Sequence, residues 1–133
     1  MKKKLLIPLI LAIPVTLAAA TSIKQDDPPQ QFSNLKILPK NISAQALNKI
    51  MVNDFEDALG VGCGFCHAPA KTAGELDYAS DAKPEKNIAR EMMKITLGNN
   101  KKFFRVKHPE IGSDALVVTC NTCHNGVPFP EAK

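Results

Sequence analysis

The chain has no tryptophan and one tyrosine, and with six phenylalanines its aromatics make up only 5% of 133 residues. Large rings supply much of the apolar area that a small domain buries, so this composition leaves a thin core. Histidine stops at three and cysteine at four. The N-terminal apolar run, Leu5 to Ala20, carries Pro8 and Pro14, falls short of the roughly 20 residues that cross a bilayer, and is followed by no nearby cysteine to carry a lipid. Met1-Lys2-Lys3-Lys4 precedes the run and Ala18-Ala19-Ala20 closes it. A charged start, an apolar stretch and an Ala-x-Ala site predict a signal peptide over 1–20 and export, with the mature chain starting near Thr21. The formal charge of +4 shrinks accordingly. Cleavage removes three of 17 basic residues and leaves 14 against 13 acids, a charge of +1, which gives no support to a nucleic-acid partner.

What is present is concentrated in two five-residue stretches, Cys63-Gly64-Phe65-Cys66-His67 and Cys120-Asn121-Thr122-Cys123-His124. They use every cysteine and two of the three histidines. Both have the form Cys-x-x-Cys-His, the attachment signature of c-type haem. Two thiols at this spacing add to the two vinyl groups of one haem, and the next residue lies beneath the iron, so its imidazole ligates axially. A pair of disulfides or one Cys₄ zinc site also accounts for Cys-x-x-Cys, but neither accounts for the histidines. The 53 residues between Cys66 and Cys120 also exceed the roughly 15–20 of a zinc pairing. The sequence therefore predicts two haem c groups, tethered by Cys63, Cys66, Cys120 and Cys123, with His67 and His124 on the irons. Covalent attachment outside the cytoplasm agrees with the leader and predicts a periplasmic location.

About 113 residues remain after the leader, which is one domain. Asp26-Asp27-Pro28-Pro29-Gln30-Gln31 marks 21–33 as a flexible segment, and the haem-bearing domain is expected over 34–133. Phe32, Leu35, Ile37 and Leu38 predict a short extended piece laid on the core. Ser43 is the expected N-cap of a first helix. Leu47, Ile50, Met51, Phe55, Ala58 and Leu59 share one face of it, and Gly60 stops it in a left-handed cap. That helix ends just before Cys63, so its apolar face is expected to pack on the first haem, with Met51 a candidate sixth ligand among several apolar residues. Residues 68–83 read as a loop whose Tyr78 and lysines face solvent rather than haem propionates.

Pro84 starts a second helix, with Ile88, Met92, Ile95 and Phe103 on one stripe and Ala89, Met93, Thr96 and Leu97 beside it. Gly98-Asn99-Asn100 is expected to end or bend it. In Lys101-Lys102-Phe103-Phe104-Arg105-Val106-Lys107-His108 the expectation is a solvated basic face with both phenylalanines turned inward, docking of an acidic redox partner being the alternative. His108 rivals the methionines as a sixth ligand for the second haem.

Met51 to Cys63, Ala89-Arg90-Glu91-Met92-Met93-Lys94-Ile95-Thr96, and Val118 to Gly126 with Pro128 and Pro130 together resemble the multihaem cytochrome subunit of bacterial photosynthetic reaction centres. The likeness covers roughly 35–130. It implies a mainly α, small two-haem c-type cytochrome of helix-turn-CxxCH units with long loops packed around the haems. It also implies a methionine sixth ligand on the helix before each motif, which falls on Met51 and on Met92 over Met93. That family carries four haems, one with a histidine sixth ligand, so this chain matches half of it. The expected activity is outer-sphere electron transfer, with redox proteins, including a membrane-bound electron-transfer complex, as partners and no nucleic acid. A small haem enzyme of peroxidase or nitrogen-oxide reductase type, or a haem sensor, needs one open iron position and is the alternative.

Overall fold

The computed structural model describes residues 32–131. The leader expected over 1–20 and most of the 21–33 segment lie outside the described residues. The fold is mainly helical. Helix α1 covers Ala44–Ile50 and continues as a π-helical stretch over Met51–Asp57. A short 3₁₀ turn follows over Cys63–Phe65. Strands β1 (Ala68–Pro69) and β2 (Leu76–Asp77) come next, then α2 (Pro84–Phe103) and α3 (Cys120–His124).

The first helix starts as its sequence dictates. Ser43 is extended and its hydroxyl accepts from the Ala46 amide at 3.2 Å. The predicted inward face is right, with Ile50 and Ala58 buried and Leu47, Met51, Phe55 and Leu59 half-buried. The hydrogen bonding differs from expectation, because the second half is wound as a π-helix, a form that single side-chain spacings do not encode. Gly60 ends it with φ 66°, and its amide and that of Val61 both donate to the Glu56 carbonyl.

The 68–83 segment is not a plain loop. β1 and β2 pair antiparallel, Ala68 with Asp77 and Pro69 with Leu76, closing a small hairpin. Helix α2 has Pro84 in its first turn and Glu85 near its positive end, but Gly98-Asn99-Asn100 does not end it, and it runs on to Phe103. The reason is Asn100, which is fully buried. Its amide donates to the Thr96 and Val118 carbonyls, and its oxygen accepts from the Val117 and Val118 amides. These bonds tie the last turns of α2 to the segment leading into α3 and satisfy a polar group that burial would otherwise penalise.

The apolar core is small. Leu38, Ile50, Met93 and Ile111 form it, and Leu35, Ile37, Met51, Phe55 and Leu97 pack against them half-buried. Residues 32–42 therefore reach the core as expected, although through turns rather than as an extended piece. Gly112 brings Ile111 inward at φ 82°, close enough that a Cβ there would lie 2.6 Å from Ile50 Cγ1.

Candidate functional site

α1 and its π-helical continuation deliver the chain to Cys63 with a single left-handed turn between them. Cys63, Cys66 and His67 line a cavity of about 720 Å³ together with Met51, Phe55, Leu38 and Met93. That volume lies in the range of cofactor and ligand sites, roughly 300–1,000 Å³. His67 has its Nδ1 buried with no hydrogen-bond partner, and its ring meets Tyr78 edge-on at 5.0 Å. Burial, with the Lys86 cation adding to it, pushes the His67 pKa down and favours the neutral imidazole that metals bind. Lys83 donates to the carbonyls of Gly64 and Phe65 and so holds the motif's backbone.

The cavity has a polar edge. Lys86 and Arg90 on α2 and Asn34 and Lys36 before α1 line it and also meet at Asp81. Lys36 Nζ and Arg90 Nη1 lie 2.7 and 2.8 Å from the Asp81 carboxylate, and Asn34 Nδ2 lies 2.7 Å from it. The hydrogen bonds from Lys36, then Arg90 and Asn34, hold the Asp81 carboxyl far below the usual carboxylate range. Three cations around one acid leave net positive charge beside an apolar cavity. Sequence spacing gave no sign of this cluster, since its members lie up to 56 residues apart.

The second motif is built differently. α3 holds Cys120, Cys123 and His124 in one and a half turns, and its start is fastened by the Thr119 amide donating to Thr122 Oγ1 at 3.0 Å. Asn125 and Gly126 are both left-handed, which reverses the chain after His124. His124 Nδ1 lies 3.0 Å from the Val127 carbonyl oxygen. A carbonyl only accepts, so Nδ1 carries the proton and Nε2 is left with its lone pair, the tautomer of a metal-bound histidine. On α2, Met92, Ile88, Ile95 and Phe103 form an exposed apolar stripe, with Val117, Val127 and Phe129 also exposed nearer α3 in the chain. Met92 is 47% exposed whereas Met93 is 5% exposed and belongs to the first cavity.

The two motifs abut. The Gly126 amide donates to the Ala58 carbonyl at 2.9 Å, and a Cβ on Gly60 would lie 2.2 Å from the Gly126 oxygen. Phe65 and Phe129 meet at 6.1 Å between ring centres.

The first motif thus follows a helix and a turn, whereas the second forms the short helix α3 itself. Residues 10–133 match the family described as photosynthetic reaction centre cytochrome C subunit. The chain belongs to that family. It is 35% identical over 95 residues to cytochrome c-554 of Chloroflexus aurantiacus, covering 71% of this chain and 20% of that protein. It is 29% identical over 115 residues to the photosynthetic reaction center cytochrome c subunit of Rubrivivax gelatinosus, covering 84% of this chain and 28% of that one. It thus spans between a fifth and three tenths of these relatives' length. No solved structure matches.

Haem c, which a reaction-centre cytochrome implies, fits the first site on the structure's own terms. An apolar cradle, an orphaned buried imidazole nitrogen, two free thiols on the lip and cations at one edge suit a flat apolar ring with two propionates. All four cysteines are free. Hydrogen bonding to Glu56 pushes the Cys63 thiol up, burial pushes Cys66 up, and burial with the Asp54 charge takes Cys120 to about 11. Among the described residues no three His, Cys, Asp or Glu side chains converge as an ion-binding group, so the cysteines are not gathered into one Cys₄ site. His108 is exposed and lines neither the first cavity nor the smaller one beside Gly112. Both Phe103 and Phe104 are exposed, at 65% and 46%, so the expected inward turn of these rings is wrong.

Proposed function

We propose that this chain is a periplasmic electron-transfer protein carrying two covalent haem c groups with His/Met ligation. The observation that supports it best is the one cavity that Cys63, Cys66, His67 and Met51 line together with apolar side chains. In the first site Cys63 and Cys66 form the thioethers, His67 is the proximal ligand and Met51 the distal one. In the second, Cys120 and Cys123 form the thioethers and His124 presents Nε2. Met92 is the distal ligand there, because Met93 is committed to the first cavity. The bound haem supplies an iron that cycles between ferric and ferrous. His67 with Met51 and His124 with Met92 would hold the irons, the α1 and α2 faces would exclude water, and ligand identity and burial would bias the potential. Lys86 and Arg90 offset propionate charge at the first site. A redox protein is the partner, and the reaction-centre relatives favour one within a membrane-bound electron-transfer complex.

The test is the intact mass of the protein made in a host that attaches haem c, measured under denaturing conditions. Thr21 to Lys133 plus two haems is the expected value. A mass with no haem and four hydrogens missing would make it a disulfide protein. Rapid binding of carbon monoxide to the native ferrous form would replace the carrier by an enzyme or sensor with an open iron position.

A further inference from the structure

We propose that the exposed basic and aromatic turn closing α2 is a docking surface for an acidic one-electron redox protein, which exchanges electrons through the second attachment site. The inference rests on the two-haem carrier reading and adds to it the face and the charge of the partner.

Lys101, Lys102, Arg105 and Lys107 put four positive charges within seven residues, and all four side chains are exposed. Among the described residues none of them has an ion-pair partner. No acid lies between Glu91 and Glu110 in the sequence to offset them. Phe103 and Phe104 stand exposed in the same turn, and Lys102 Nζ sits 5.1 Å from the Phe103 ring centre. Aromatic side chains and arginine are what protein interfaces concentrate at their centres, while surrounding charges steer the encounter.

The turn is held in place. Arg105 takes a left-handed φ of 57°, a conformation that non-glycine residues seldom adopt, and the Val106 amide beyond it donates to the Asn100 carbonyl at 3.1 Å. Asn100 in turn bonds Val117 and Val118, two residues before Cys120. The basic turn is thus fastened to the approach to the second motif, so a protein docked on it lies beside that motif.

A protein is favoured over an anionic membrane by the arrangement of the rings. Phe103 closes α2 and Phe104 lies beyond it, out of helical conformation and with cations on both sides in the chain, so the pair does not continue into the long apolar face of an interfacial helix. The step itself moves one electron. With a reduced acidic [2Fe–2S] ferredoxin as the probe, the cluster is oxidised by one electron and the ferric iron held by His124 becomes ferrous, with no proton or group transferred.

The test is stopped-flow reduction of the oxidised holoprotein by that ferredoxin across ionic strength, with reduced lumiflavin as a small uncharged donor. We expect the ferredoxin rate constant to fall about tenfold or more as salt is raised, and Lys101→Glu/Lys102→Glu to lower the low-salt value by about tenfold. Lys101→Glu alone gives part of that loss. Lys71→Glu, exposed on the β1–β2 connection and outside the turn, changes net charge as much as Lys101→Glu and stays within about twofold. The lumiflavin rate stays constant throughout. Undiminished ferredoxin rates in the double variant would overturn the docking surface while leaving the carrier intact. So would sedimentation with phosphatidylglycerol vesicles that the double variant abolishes at unchanged ferredoxin rates, which would assign the patch to lipid. Failure of lumiflavin to reduce the parent protein would take down the carrier reading and this inference together.

Discussion

Met92 and Met93 are neighbours in sequence with opposite surroundings, one on the exposed stripe of α2 and the other in the core beside Met51. Replacing Met93 with leucine is a volume-conserving core change that costs under about 1.5 kcal/mol and leaves both sulfur-to-iron absorption bands in place. Met92→His should remove one band and lower one of the two midpoint potentials by on the order of 0.1 V, well inside the range of roughly 0.8 V that axial ligands span. Met51→His should do the same for the other haem. Optical redox titration of the three variants checks this, and loss of a band in Met93→Leu would exchange the roles. Asp81 gives a second prediction. Its folded pKa is depressed, so its contribution to stability is present above about pH 4, the ordinary carboxylate value, and is lost as pH falls from there through the folded value. Acid titration of the holoprotein followed by circular dichroism should show that limb, and Asp81→Asn should flatten it while lowering stability at neutral pH. The two Cys-x-x-Cys-His stretches stand out in the chain because their spacing is local. The Asp81 cluster and Asn100 do not, since each gathers groups far apart in the chain, and Asn100 taken alone reads as a helix breaker.

At the scale of elements, the starts and stops of helices followed local chemistry: Ser43, Gly60 and Pro84 act where their side chains or backbones require. The π-helical stretch did not, because its hydrogen bonding answers to what packs on it rather than to propensity. The joint between Gly60 and Gly126 is the element-level feature open to the cleanest test. Both glycines have positive φ, so alanine at either costs about 1–2 kcal/mol in backbone strain. Only Gly60 also meets backbone within 3 Å of an added Cβ, whereas Gly126 has nothing within 4 Å. Gly60→Ala should therefore lose a further ~1–3 kcal/mol from overpacking and shift the spectroscopic coupling between the haems. Gly126→Ala should do neither. Denaturant unfolding and electron paramagnetic resonance of the two holoproteins would separate strain from contact.

At the scale of the molecule, the described residues bury few apolar side chains, chiefly Leu38, Ile50, Ala58, Met93 and Ile111, and leave Ile88, Ile95, Val117 and Phe129 exposed. A polypeptide so short of internal packing depends on its cofactors for cooperativity, as small metal-bound domains do. Haem-free protein, made by expression without the attachment machinery, should show no cooperative thermal transition by calorimetry, while the holoprotein melts sharply. The shortage was plain from the missing tryptophan and scarce rings. Where the surviving apolar side chains collect was not, because two equally apolar stripes on α2 differ only in what packs on them. The contact of Gly60 and Ala58 with Gly126 sets the spacing of the motifs directly, without reference to the chain that runs between them. Insertions and deletions at the tip of the β1–β2 hairpin would accordingly be tolerated without altering the distance between the two motifs, which makes the pair a transferable cassette able to accept new loops.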